Sequence, residues 1–158
     1  MNSPIKIVTI IQARTGSSRL PNKIFLPLVD KSLLYRMYER VAASKLAGTI
    51  VIATTTDKSD DKVEDFCKEF KLNCFRGHPI DLLDRHFQTA KLFQADAVVK
   101  IPSDCPLIDA NVIDKVLQFY LDNSDIYDYV SNLHPATYPD GNDVEIISLE
   151  ALKNAWEN

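Results

Sequence analysis

The 158 residues suffice for one domain that buries most of the surface an unfolded chain would expose. Apolar residues make up 46% and charged residues 25%, a globular balance that excludes a disordered or low-complexity chain. The net charge of −4, with Lys and Arg scattered, argues against nucleic acid as a partner. No apolar run approaches the roughly 20 residues of a membrane span.

The first predicted element is Ile5–Ile11, a nearly unbroken β-branched run of the kind a central parallel strand requires. A polar loop follows over residues 12–23. Ser32 is placed to cap a helix through about Leu46, with Leu34, Met37 and Val41 on one face and Gly48 as its stop. Ile50–Thr54 reads as the second strand. Asp57 and Ser59 lead into a helix whose Val63, Phe66, Cys67 and Phe70 follow helical spacing, and Asp60 and Asp61 sit in its first turn, where the dipole favours anions. Asn73–Arg76 is a short third strand. A helix at about Asp81–Gln94, a strand at Ala97–Ile101 and a helix from Asp109 to about Leu121 continue the alternation. Tyr127–Asn132 is a candidate strand, 133–142 a Pro/Gly-rich loop, and Asp143–Ile147 a strand with Asp143 and Glu145 on one face. Ser148 caps a last helix. Such alternation predicts an α/β fold with a parallel sheet between helical layers.

Cys67, Cys74 and Cys105 show no paired spacing; the first two read as small buried hydrophobes. Cys105 has no neighbouring His to act as a base. The N-terminus lacks the basic, apolar and small-residue sections of a signal peptide, so a reduced, cytoplasmic setting is expected. His78, His86 and His134 have no ligand spacing and read as surface or partly packed residues. Tyr127, Tyr129 and Tyr138 read as aromatic packing or as the lining of a sugar pocket.

The chemistry concentrates in Q-A-R-T-G-S-S-R-L-P-N-K, directly after the first strand. Open α/β sheets bind ligands beyond the carboxyl ends of their strands. Gly16 and its small neighbours Thr15, Ser17 and Ser18 leave backbone amides open to phosphate oxygens. Arg14, Arg19 and Lys23 add two planar forks and one mobile point charge. The loop is neither a Walker A nor a G-x-G-x-x-G motif; a solvated basic turn is the alternative.

Residues 13–23, ARTGSSRLPNK, resemble the opening motif of the cytidylyltransferases that make CMP-activated sugars, of the spore-coat-polysaccharide type related to the CMP-sialic acid and CMP-Kdo synthetases. RGHPIDLLDRHFQ at 76–88, SDCPLID at 103–109 and DGNDVEI at 140–146 resemble the same subfamily, in the same order.

The resemblance implies a Rossmann-like, three-layer nucleotide-diphospho-sugar transferase fold. It would be one domain, with a nucleotide-binding part at 1–125 and the start of an acceptor and dimerisation part at 126–158. It implies attack of a sugar oxygen on the α-phosphorus of CTP, with Mg2+ as cofactor and a homodimer as assembly. Arg14 and Lys23 would be the catalytic cations. Ala13, Arg14, Thr15, Gly16, Ser17, Ser18, Arg19, Lys23, Arg76 and Asp104 would bind the nucleotide, with Arg76 near the base and Asp104 on the metal. Asp143 and Glu145 would face the sugar. Asp84 and Arg85, a solvated pair by their residue types, would brace the nucleotide pocket. Pro102 departs from the small polar residue frequent in relatives. Neither the dimer arm nor the second acidic metal ligand of relatives is matched, so the sequence reads as a truncated product or a naturally shortened member, with weak nucleotide binding and slow or no turnover expected. Two other readings remain: transfer to a sugar 1-phosphate, whose enzymes usually open L-A-A-G-x-G-x-R, and a non-catalytic nucleotide-binding module.

Overall fold

The computed structural model describes residues 4–17 and 19–158. Along the chain it forms β1 (Ile7–Gln12), β2 (Pro27–Leu28), β3 (Lys31–Ser32), α1 (Leu33–Ala42), β4 (Thr49–Thr55), α2 (Asp61–Glu69), β5 (Asn73–Gly77), α3 (Leu82–Phe93), β6 (Ala97–Pro102), α4 (Ala110–Asp122), β7 (Tyr129–Ser131), β8 (Glu145–Ser148) and α5 (Leu149–Glu157). Six strands make one sheet in the order β5-β4-β1-β6-β8-β7, and β2 and β3 pair as a small hairpin. The first four sheet strands run parallel; β8 is antiparallel to β6, and β7 to β8.

The unbroken apolar character of β1 has its cause in this order. It is central, so Ile7 and Ile11 enter a core with α1, α2 and α4, while Val8 and Ile10 enter a second core with α3 and α5. Its one polar residue before the closing Gln12, Thr9, is fully buried and donates its hydroxyl to the Ala47 carbonyl at 2.6 Å. Helix starts at Ser32, Asp109 and Ser148 follow the caps read from sequence, and Asp81 caps α3 in the same way; each accepts a backbone amide from the first turn.

Several boundaries differ from expectation, two of them with a clear cause. Helix α1 ends at Ala42 rather than near Leu46, because Asp114 of α4 takes the Ser44 hydroxyl (2.6 Å) and the amides of Lys45 and Leu46 (3.0 and 3.1 Å). Gly48 therefore shapes the entry to β4 rather than the helix end: its φ is +61°, and a Cβ there would lie 2.1 Å from the Ile7 carbonyl oxygen. The last sheet strand begins at Glu145, which leaves Asp143 in the preceding loop, although Val144 and Ile146 are both fully buried as the alternation requires.

Candidate active site

β4 lies on one side of β1 and β6 on the other, so the strand order reverses between them and a crevice opens at their carboxyl ends. The loop after β1 and the loop after β6 face each other there. Gln12, Arg14, Ser17, Arg19 and Lys23 line one side of a cavity of about 260 Å³, and Pro102, Ser103 and Asp104 the other. Lys23 Nζ stands 2.9 Å from Asp104 Oδ2 across it, both side chains partly open to solvent.

The loop's shape is set from behind. The Ala13 amide donates to Ala53 O at 2.9 Å, and the Ala13 methyl is in the core. Thr15 is buried; its amide and hydroxyl both donate to Asp60 Oδ1 at 2.7 Å. The Thr15 carbonyl accepts from the amides of Ser17 and Asn22, each at 2.9 Å. The expected row of open amides is thus partly consumed, because Thr15 and Ser17 spend theirs inside the protein. Gly16 is exposed, and a Cβ there would meet nothing within 4 Å among the described residues. Of the predicted nucleotide ligands, Arg14, Ser17, Arg19, Lys23 and Asp104 converge on the cavity; Ala13 and Thr15 support it from the core; Ser18 lies outside the described residues.

Arg76 lies elsewhere. Its guanidinium reaches Asp61 at 2.7 Å and Glu64 at 3.1 Å, and donates to the carbonyls of Thr55 and Asp57. Arg85, expected to be solvated or a brace, is 2% exposed and donates to the carbonyls of His78 and Pro79. Burial and the nearby charge of Arg14 pull its pKa down. Asp84 instead accepts from Gln88 and Trp156.

The two acids expected at the sugar part company. Asp143 lines a second cavity, of about 390 Å³, with Asp104 and Asp140. Burial, then the charges of Asp140 and Asp104, push its carboxyl above the usual range. Glu145 lines a third cavity, of about 300 Å³, where it pairs with Lys100 at 2.6 Å and accepts from the Tyr129 hydroxyl at 3.0 Å. His86 also lines that cavity and is 4% exposed, which corrects its reading as a surface or partly packed residue. Its Nδ1 contacts Leu82 O at 2.8 Å, its buried Nε2 has no partner among the described residues, and burial holds the ring's pKa down.

Cys105 is buried, and burial with the acids around it pushes its thiol up to about 11, so it stays protonated and unsuited to nucleophilic attack. Among the described residues no three His, Cys, Asp or Glu side chains converge as a ready metal cage. Magnesium does not require one: it keeps several waters and takes one or two carboxylates plus substrate phosphates. Asp104, half-exposed beside the cation-lined cavity, fits that pattern.

Sequence reading missed Gln12, Ser103 and Asp60. Gln12 carried a signal, as a polar residue closing an apolar strand at its carboxyl end. Asp60 carried none, because its partner lies 45 residues away.

The chain is similar to the spore coat polysaccharide biosynthesis protein SpsF of Bacillus subtilis, 33% identical over 80% of this chain and 54% of SpsF. It is similar to the 3-deoxy-manno-octulosonate cytidylyltransferase of Chlamydia trachomatis, 31% identical over 85% of this chain and 53% of that protein. A solved cytidylyltransferase from Leptospira borgpetersenii superposes with a TM-score of 0.92 at 37% identity, covering 97% of this chain and 64% of the other. The chain thus spans about half the length of these two curated relatives. The cytidylyltransferase family pattern matches residues 8–158, from the first strand through the crevice to the last helix, and the chain belongs to that family.

Proposed function

We propose that the chain carries the nucleotide site of an enzyme that transfers CMP from CTP to a sugar, a sugar acid or a close relative of one, with release of pyrophosphate. The contact of Lys23 with Asp104 across the switch-point crevice carries this reading: it sets a mobile cation and a hard oxygen ligand on opposite walls of a cavity that Arg14 and Arg19 also line. Phosphoryl-type transfer depends mainly on positioning and charge neutralisation, which these residues supply. A sugar hydroxyl oxygen attacks the α-phosphorus; its new O–P bond forms as the bond to the bridging oxygen breaks, pyrophosphate takes the electron pair, and the hydroxyl proton passes to solvent. Arg14 and Lys23 hold the triphosphate and offset charge on the departing pyrophosphate, with Arg19 at the rim. The Gln12 amide and the Ser17 and Ser103 hydroxyls supply neutral hydrogen bonds. Bound with the triphosphate at Asp104, Mg2+ would neutralise phosphate charge.

The acceptor sugar approaches from the Asp104 side, where Asp143 shares a cavity with that residue and Glu145 stands on the neighbouring strand. A role in surface or spore polysaccharide synthesis draws support from the likeness to SpsF. A cytoplasmic setting accords with three free cysteines, and no described helix is long and apolar enough to cross a membrane. A homodimer is part of the reading and is tested by light scattering.

A pyrophosphate-release screen over four nucleoside triphosphates, sugar acids and sugar 1-phosphates tests the function. Slow release with CTP and a sugar acid is expected, and Lys23→Ala should lower it by about 100-fold. Preference for another triphosphate with a sugar 1-phosphate would replace the acceptor class. CTP binding without release from any sugar would leave a nucleotide-binding module.

A further inference from the structure

The Asp60 carboxylate is 2% exposed, and among the described residues no Lys, Arg or His forms an ion pair with it. A buried charge without a counter-ion is costly unless hydrogen bonds replace its water. Those bonds are not the ones its position suggests. Asp60 occupies the N-cap of α2, yet its side chain caps nothing in that helix. It turns instead to Thr15, whose amide and hydroxyl it accepts, and to the Thr55 hydroxyl at the end of β4.

Thr15 is the hub of the cation-bearing loop. Its donors go back to Asp60, and its carbonyl goes forward to the amides of Ser17 and Asn22, tying both to one point. Arg14 leaves one side of this hub, and Lys23 follows Asn22 on the other. We infer that Asp60 is the positioning residue of this loop: its carboxylate fixes Thr15, and through Thr15 it holds Arg14 and Lys23 on one wall of the crevice facing Asp104. The inference rests on the reading of that crevice as the CTP site. Asp60 touches no nucleotide itself, and its effect falls on phosphate binding rather than on the acceptor.

Three variants of the full chain test it: Asp60→Ala, Asp60→Asn and, as a control, Asp114→Ala. Asp114 also receives several bonds from a distant segment, but far along the chain from the crevice loops and outside the nucleotide machinery. Each is titrated with CTP and Mg2+ by calorimetry below its unfolding temperature, and amide hydrogen exchange is followed without ligand. Asp60→Ala should weaken CTP binding about tenfold or more, since a buried donor is left unmet. It should also speed exchange at Thr15, Ser17 and Asn22 while β1 and β4 stay protected. Asp60→Asn, which keeps an oxygen for Thr15, should recover part of both effects. Asp114→Ala should lower the melting temperature yet keep CTP affinity within about twofold, as expected of a distant site.

A folded Asp60→Ala variant with unchanged exchange and CTP affinity overturns the inference, as does an equal affinity loss in Asp114→Ala. If Asp60→Ala does not fold, Asp60→Asn decides by the same two measurements. Failure of the unaltered chain to bind CTP would remove the nucleotide reading, while exchange at Thr15 would still judge the clamp.

Discussion

Lys23 meets Asp104 because two loops leave adjacent parallel strands at the same end of the sheet, with Gln12 and Pro102 in register beneath them. Arg76 is the instructive contrast. A cation at the end of a strand looks like a phosphate or base ligand, but Asp61 and Glu64, one turn apart on α2, and two carbonyls already engage it. Arg76→Ala should therefore cost about 1–3 kcal/mol of stability, in the range of charge-assisted hydrogen bonds, while CTP affinity stays unchanged. Thermal melting and calorimetry on the same variant check both halves. Arg14, Lys23 and Asp104 were legible in the sequence because clustered cations directly follow the strongest apolar strand and an Asp between two prolines follows another. Asp60 and the division of Asp143 from Glu145 were not, since both depend on which distant segment occupies the other side of a loop.

Elements began where local chemistry placed them and ended where tertiary partners intervened. An N-cap is a contact within one turn, so Ser32, Asp109 and Ser148 could be read directly. The end of α1 could not, because it is set by Asp114, about 70 residues further on. The β2–β3 hairpin also escaped notice, as two-residue strands have no period to detect. Ser148→Ala should cost about 1 kcal/mol, the usual value of a cap. Gly48→Ala should cost more than about 2 kcal/mol, since it adds left-handed strain to a contact with the Ile7 carbonyl. Urea unfolding of both variants orders the two effects, and an equal or reversed order would contradict the role given to Gly48.

At the scale of the molecule, alternating strand and helix patterns made the three-layer α/β class readable. The order β5-β4-β1-β6 was not, because it records which edge each crossover chooses. Stability should fall with acid in two stages. His86 is held below its ordinary pKa by burial, then by the nearby charges of Lys100 and Arg85. The unfolded chain therefore takes up that proton first, and stability declines as pH drops from about 6.5 toward the folded value. Burial alone would raise the Asp60 and Asp114 carboxyls, but hydrogen bonds outweigh it and hold both low. Their contribution is complete above about pH 3.9 and is lost as pH falls through their folded values. Melting temperatures measured from pH 8 to pH 3, with His86→Leu lacking the first stage, check this.

On the proposed reading, the crevice between the carboxyl ends of β1 and β6 receives the triphosphate of CTP. The most direct measurement follows backbone amide resonances of the chain as CTP and Mg2+ are added. Shifts should concentrate at residues 12–23 and 102–104, with little change around Arg76 and α2. Shifts confined to α2 and Arg76, or none at saturating CTP, would contradict it.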